Sequence, residues 1–114
     1  MQECIFCKIS SGELPAKIVY TDRDVIAFED INKEAPVHVL VIPKKHIPGA
    51  NKVDKGNIEL LGRLVYVASK IAKDKKIESS GYRLVINSGK DAGQDVLHMH
   101  LHLLGGRKFT WPPG

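Results

Sequence analysis

Two periods of apolar residues run along the chain. Ile18-Val19-Tyr20-Thr21 and Val25-Ile26-Ala27-Phe28-Glu29 are short β-prone runs separated by Asp22-Arg23-Asp24, which predicts a hairpin. Val37-His38-Val39-Leu40-Val41-Ile42 is the longest β-branched run and predicts a third strand. Pro43 to Asn51 carries two prolines and a glycine and reads as a loop. The period then changes. Ile58, Leu61, Val65, Ala68 and Ala72 recur at spacings of three and four, which predicts one long helix with these residues as its apolar stripe. Asp54 or Asn57 can cap its start, and Lys73, Lys75 and Lys76 suit the negative end of its dipole. Tyr82 to Asn87 predicts a fourth strand. In His98-Met99-His100-Leu101-His102-Leu103-Leu104 period two returns, predicting a fifth strand broken by Gly105-Gly106. Before all of these, Cys4 to Ser11 predicts a short helical turn ending near Gly12, and Pro15 stops it. The fold class is α+β, a single domain over 1–114, with an antiparallel sheet of about five strands, one long helix and a short N-terminal one.

The last strand concentrates the chemistry. Met99, Leu101 and Leu103 would face a core, and His98, His100 and His102 the opposite side. Neighbouring imidazoles would start about 6.6 Å apart, too far for one metal to take all three, but well spaced to line an anionic group such as a phosphate. A lone histidine here would be an ordinary half-buried strand residue; three in register are not.

Charge and composition restrict partners. Seventeen basic against thirteen acidic residues leave a net charge of +4. With no basic run interleaved with aromatics, that excess reads as a solvated surface and not as a nucleic-acid interface. No apolar run approaches the roughly 20 residues of a membrane span, and no secretory leader pattern opens the chain, so the expected location is the cytoplasm. In a reducing compartment Cys4-x-x-Cys7 is a metal clip or a redox pair more readily than a structural disulfide.

These residues together identify a resemblance. The His-φ-His-φ-His-φ-φ motif at 98–104, with φ apolar, resembles the histidine-triad (HIT) superfamily, and within it the HINT-like purine nucleoside phosphoramidases. Other blocks stand in the family's order. They include Cys4-Ile5-Phe6-Cys7-Lys8-Ile9, Leu14-Pro15-Ala16, Ala27 to Ile31, Ala35-Pro36-Val37-His38, Val41 to Ile47, Gly105-Gly106-Arg107 and Trp111-Pro112-Pro113-Gly114.

The resemblance implies a HIT-like fold that dimerises, with the Trp111 tail near the partner's site. It also implies a nucleotidyl hydrolase that cleaves the P–N bond of purine nucleoside phosphoramidates, derivatives of AMP or GMP. His100 would attack phosphorus and form a nucleotidyl-histidine, a role suited to a neutral imidazole near pH 7. His102 would stabilise charge on the phosphate, and His38 is the fourth active-site histidine. Asp30 would accept from the ribose hydroxyls, and Ile5, Phe6, Ile9, Phe28 and Ile31 would form a slot for the purine. For Ile5 and Ile9 ordinary core packing is an equal reading. Asn87, Gly93 and Gln94 would hold the phosphate, with backbone N–H groups of the glycine turn as an anion nest.

Asp95 departs from the branch's usual serine or threonine. A carboxylate there repels a phosphate, so either its backbone N–H alone is used or it contacts the leaving amine. No organic cofactor is implied. Cys4, Cys7, His46 and His98 could hold a structural zinc, away from the scissile phosphate; the alternative is two reduced cysteines packed in the first turn. Rival functions are a dinucleoside polyphosphate hydrolase, a nucleotide-binding module with little turnover, and a histidine-based metal-binding protein.

Overall fold

The computed structural model describes residues 4–114. A short helix α1 (Ile5–Ser11) leads into β1 (Ile18–Thr21), β2 (Val25–Glu29) and β3 (Val37–Pro43). The long helix α2 (Ile58–Asp74) follows, and then β4 (Tyr82–Ile86) and β5 (Leu101–Gly105). The strands form one antiparallel sheet in the order β1-β2-β3-β5-β4. The α+β architecture, the five strands and the two helices agree with the sequence pattern. No helix among the described residues is long and apolar enough to cross a membrane.

Alternation along β2, β3 and β5 splits the sheet into two unlike faces. Val25, Ala27, Val39, Val41, Leu101 and Leu103 pack with Leu64, Val67, Ala68, Ile71 and Ala72 of α2. Ile26, Phe28, Leu40 and Ile42 point the other way and pack with Cys4, Phe6 and Ile9 at α1. β3 is therefore covered on both sides, which is why its sequence is apolar apart from His38. Gly12 closes α1 in the left-handed region, at φ 86°, and its N–H returns to Ile9 O.

Two expectations are corrected. The buried stripe of α2 is Leu64, Val67, Ala68, Ile71 and Ala72. Ile58 and Val65, expected within it, are 62% and 45% exposed. The helix start is also divided between two residues. Asp54 accepts from Gly56 N and caps a 3-10 turn (Lys55–Asn57), while Asn57 stands at the start of α2 without a side-chain cap bond.

A further correction concerns the histidine strand. β5 begins only at Leu101, so His98, Met99 and His100 lie outside it. The segment keeps its alternation without a ladder partner, because Met99 N–H is taken by Ile47 O at 2.7 Å in the loop after β3. Met99 still enters the α2 core, and the three histidines still lie on the other side.

Candidate active site

The register between β3 and β5 assembles the first part of the site. His38 is paired with Leu104 and Leu40 with His102, so His38 and His102 are diagonal neighbours on the α1 face. Their imidazoles meet at 2.9 Å, Nε2 of His38 to Nδ1 of His102.

Backbone groups set the tautomers. Glu34 N–H donates to His38 Nδ1 at 3.1 Å, so the neutral His38 ring carries its proton on Nε2 and donates it to His102 Nδ1. The neutral His102 ring then carries its own proton on Nε2. His100 is held independently. Its Nδ1–H donates to His98 O at 2.7 Å, leaving the Nε2 lone pair free of a proton. His102 thus presents a donor and His100 a nucleophile, with their ring centroids 5.0 Å apart.

Burial favours the neutral states of His38 and His102. It lowers the His38 pKa, against the opposing charges of Asp30 and Glu34. Burial, reinforced by the neighbouring His100 and His38 rings, pushes His102 down to about 4. Asp30 stands 3.4 Å from His38 Nε2, and its other oxygen accepts from Asn32 N at 2.9 Å, which fixes the carboxylate.

A cavity of about 610 Å³ opens over this row, a size suited to a small ligand. Ile5, Phe6, Ile9, Phe28, Asp30, Ile31, Asp95, His100 and His102 all line it. Phe6, Ile9 and Phe28 are core residues whose edges form the wall, so packing and lining are the same residues here. Ile31 is 94% exposed and stands at the rim. Phe6 meets His100 edge-on at 5.2 Å between centroids and Phe28 at 5.5 Å.

Asn87, Gly93 and Gln94 do not line this cavity. The glycine turn uses its amides internally: Gly93 N–H donates to Lys90 O and Gln94 N–H to Gly89 O. The Gln94 side chain accepts from Gly89 N at 2.9 Å and donates to Pro48 O and Val96 O at 2.7 and 3.0 Å. Gly93 and Gln94 thus shape the loop that carries Asp95 and Val96 through bonds made within it and to Pro48 O. Sequence reasoning missed Glu34, whose backbone N–H sets the His38 tautomer; no side-chain pattern could have flagged it.

Cys4, Cys7, His46 and His98 form a second group whose ligand atoms all lie within 4.8 Å of one another. The cysteines are not joined in a disulfide. His98 is fully buried and donates from Nε2 to Pro43 O at 2.7 Å, which leaves the Nδ1 lone pair facing Cys4 Sγ at 3.4 Å and Cys7 Sγ at 3.6 Å. His46 Nδ1 lies 3.3 Å from Cys7 Sγ. Zinc bond lengths of about 2.1 and 2.3 Å put tetrahedral ligand atoms roughly 3.6 Å apart, so the donor set and its spacing fit that ion. The Pro43 carbonyl supplies the outer partner that a metal-bound imidazole needs.

Comparison with known proteins agrees with this geometry. The model of the HIT domain matches residues 11–109. A 14 kDa zinc-binding protein of Zea mays is 50% identical over 112 residues, covering 96% of this chain and 87% of that protein. The crystal structure of a HIT family hydrolase from Legionella pneumophila superposes with a TM-score of 0.97 at 50% identity, covering 98% of this chain and all of that one. A histidine triad nucleotide-binding protein from Candida albicans gives a TM-score of 0.83 at 31% identity, over 98% and 85% of the two chains. His100 and His102 of the three histidines at 98–102 face the cavity while His98 lies buried behind them, and with the family model spanning residues 11–109 the chain belongs to the HIT domain family.

Proposed function

We propose that the protein is a nucleotidyl hydrolase of purine nucleoside phosphoramidates, working through a nucleotidyl-histidine intermediate. The observation that carries this reading is the opposed protonation of two adjacent rings. His100 offers a bare Nε2 because His98 O holds its other nitrogen, and His102 offers an N–H because His38 donates to it.

In this reading His100 Nε2 attacks phosphorus and the P–N bond breaks. His102 Nε2–H donates to a non-bridging phosphate oxygen as charge develops there. His38 acts through His102, by fixing its tautomer. Asp30 accepts from the ribose hydroxyls with the lone pairs that Asn32 N leaves over. Phe6, Ile9, Phe28 and Ile31 enclose the base. Water then hydrolyses the intermediate, returning His100 and releasing the nucleoside monophosphate.

The zinc reading belongs to the second cluster. Cys4, Cys7, His46 and His98 would hold the ion in a closed site, where its contribution is to folding free energy and to fixing His98. The zinc-binding protein of Zea mays supports that assignment by its name. We also infer a homodimer. Apolar Ile58, Val65 and Tyr66 are exposed on α2, and β4 is an uncovered sheet edge.

A rate comparison tests the function. Adenosine 5′-phosphoramidate, a diadenosine polyphosphate and a lysine-adenylate adduct are compared at equal concentration. Preference for the P–N substrates is expected. Preference for the polyphosphate would assign the neighbouring hydrolase activity instead, and tight nucleotide binding without turnover would leave a binding module.

A further inference from the structure

The cavity over His100 shares a wall with a second one. Ile5, Asp95 and Val96 line both, and the second, of about 500 Å³, has Pro48 and Leu97 among its other walls. Its surface is mainly apolar, and Leu97 and Ile5 are 68% and 54% exposed beside it. Asp95 stands where the two meet. Its Oδ1 lies 4.0 Å from His100 Nε2, and its side chain is 87% exposed, so nothing in the fold requires a carboxylate at that point.

That carboxylate is costly for the nucleotide itself, since it repels a phosphate at short range. The same charge has a use toward the group that leaves. The bridging nitrogen of a phosphoramidate carries hydrogen and can donate to Asp95. The bridging oxygen of an ester or anhydride carries only lone pairs and is repelled. A departing polyphosphate is repelled more strongly, because it carries several negative charges.

We propose that Asp95 and the adjoining apolar cavity form a leaving-group subsite, built for primary amines with an apolar body and against ester-oxygen or anionic leaving groups. This rests on the reading of His100 as the nucleophile of a nucleotidyl hydrolase. As His100 Nε2 bonds to phosphorus, the P–N electron pair returns to nitrogen, which takes a proton from water. Hydrolysis of the nucleotidyl-histidine consumes the remaining hydroxide equivalent, so one water is used overall. The free amine then takes a further proton from solvent, and the resulting ammonium pairs with Asp95 while its apolar chain lies along Ile5, Val96 and Leu97.

The test is a ratio of kcat/KM values. Adenosine 5′-phosphoramidates of straight-chain amines with two to six carbons are compared with diadenosine tetraphosphate and the p-nitrophenyl ester of AMP. All carry the same nucleotide, so a change in affinity for AMP cancels from the ratio. In the unaltered protein, lengthening the chain from two to six carbons should raise kcat/KM about tenfold through partial burial of the added methylenes. Asp95→Lys should lower the amidate-to-tetraphosphate ratio by about a hundredfold, with Asp95→Asn between. Leu97→Ser, which removes apolar surface without adding charge, should remove the gain with chain length and leave the ratio for the shortest amine unchanged. Residue 95 is exposed, so these variants should fold; circular dichroism checks that they do.

A ratio within about threefold of the unaltered protein's in Asp95→Lys, with amidates still hydrolysed, overturns the subsite while leaving the hydrolase standing. An unaltered protein that hydrolyses none of the substrates removes both.

Discussion

The His98 carbonyl oxygen and the His100 ring are joined at 2.7 Å, with Nδ1–H of His100 as donor. His98 is bound on three sides at once. Its Nε2–H reaches Pro43 O, its Nδ1 faces the two cysteines, and its carbonyl orients the next histidine, His100. The residue that would ligate a metal is therefore the one that aims His100, the proposed nucleophile. The sequence places these groups about 6.6 Å apart along a strand, as two separate functions; in the fold they share one backbone segment.

His100→Ala or His100→Gly is expected to abolish turnover. Binding of AMP should change by less than roughly tenfold, about 1.4 kcal/mol. The reason is that, in the proposed reading, Asp30 and the Phe6–Phe28 wall lining the cavity would do most of the holding. Titration calorimetry with AMP and single-turnover hydrolysis measure the two halves. Hydrolysis persisting near the unaltered rate would show that another group attacks phosphorus.

Removing the metal, or making Cys4→Ser with Cys7→Ser, should lower the melting temperature by several degrees, because a closed site contributes folding free energy. In molecules that remain folded, the His98 carbonyl is still held through Pro43 O, so KM should stay constant and kcat should fall by less than about tenfold. Metal content of protein purified without chelators comes first; protein that contains no zinc would end this reading. Loss of all turnover in a still-folded double variant would mean that the cluster holds the nucleophile far more tightly than one carbonyl implies.

Most of the fold was legible because strand signals are local. Runs such as Ile18–Thr21 and Val25–Glu29 begin and end at turn residues that any register must respect. The face of α2 was not legible in the same way. Leu60, Leu61, Leu64, Val65, Val67, Ala68, Ile71 and Ala72 spread over so much of the helix that two adjacent stripes satisfy the same spacing, and only packing against β3 and β5 selects one.

At the site, residue type pointed to His38, His100, His102 and Asp30, which do converge. The bonding of the glycine turn was not legible. Composition shows that amides are present at Gly93 and Gln94, but not that Lys90 O and Gly89 O already occupy them.

The dimer can be tested by light scattering at micromolar concentration, where a mass near twice the 12.6 kDa of one chain is expected. Val65→Glu or Tyr66→Glu on the exposed side of α2 should shift the protein toward monomer without unfolding it, since both side chains already face outward. A mass near 12.6 kDa for the unaltered protein would exclude the dimer.

Acid should destabilise the protein in two windows. Burial, aided by His100 and His38, holds His102 at about 4 in the fold, against about 6.5 in the unfolded chain. Between those values the unfolded chain binds more protons, so stability rises with pH there and is lost as pH falls from about 6.5 toward 4. The lowered pKa of His38 adds the same sign. Glu29 acts in the lower window. Its bonds from Lys33 and Lys75 hold its carboxyl at about 2, so its contribution is complete above the ordinary glutamate range and is lost as pH falls from about 4.5 toward 2. Melting temperature measured from pH 7.5 to 3 should fall throughout. His102→Gln should flatten the slope between 6.5 and 4, and Glu29→Gln should flatten it below 4.5 while lowering stability at neutral pH. NMR of the His102 ring supplies the direct check. A titration midpoint near 6.5 would mean that the ring is not held neutral by its surroundings, and the assignment of His102 as a neutral Nε2–H donor would fall with it.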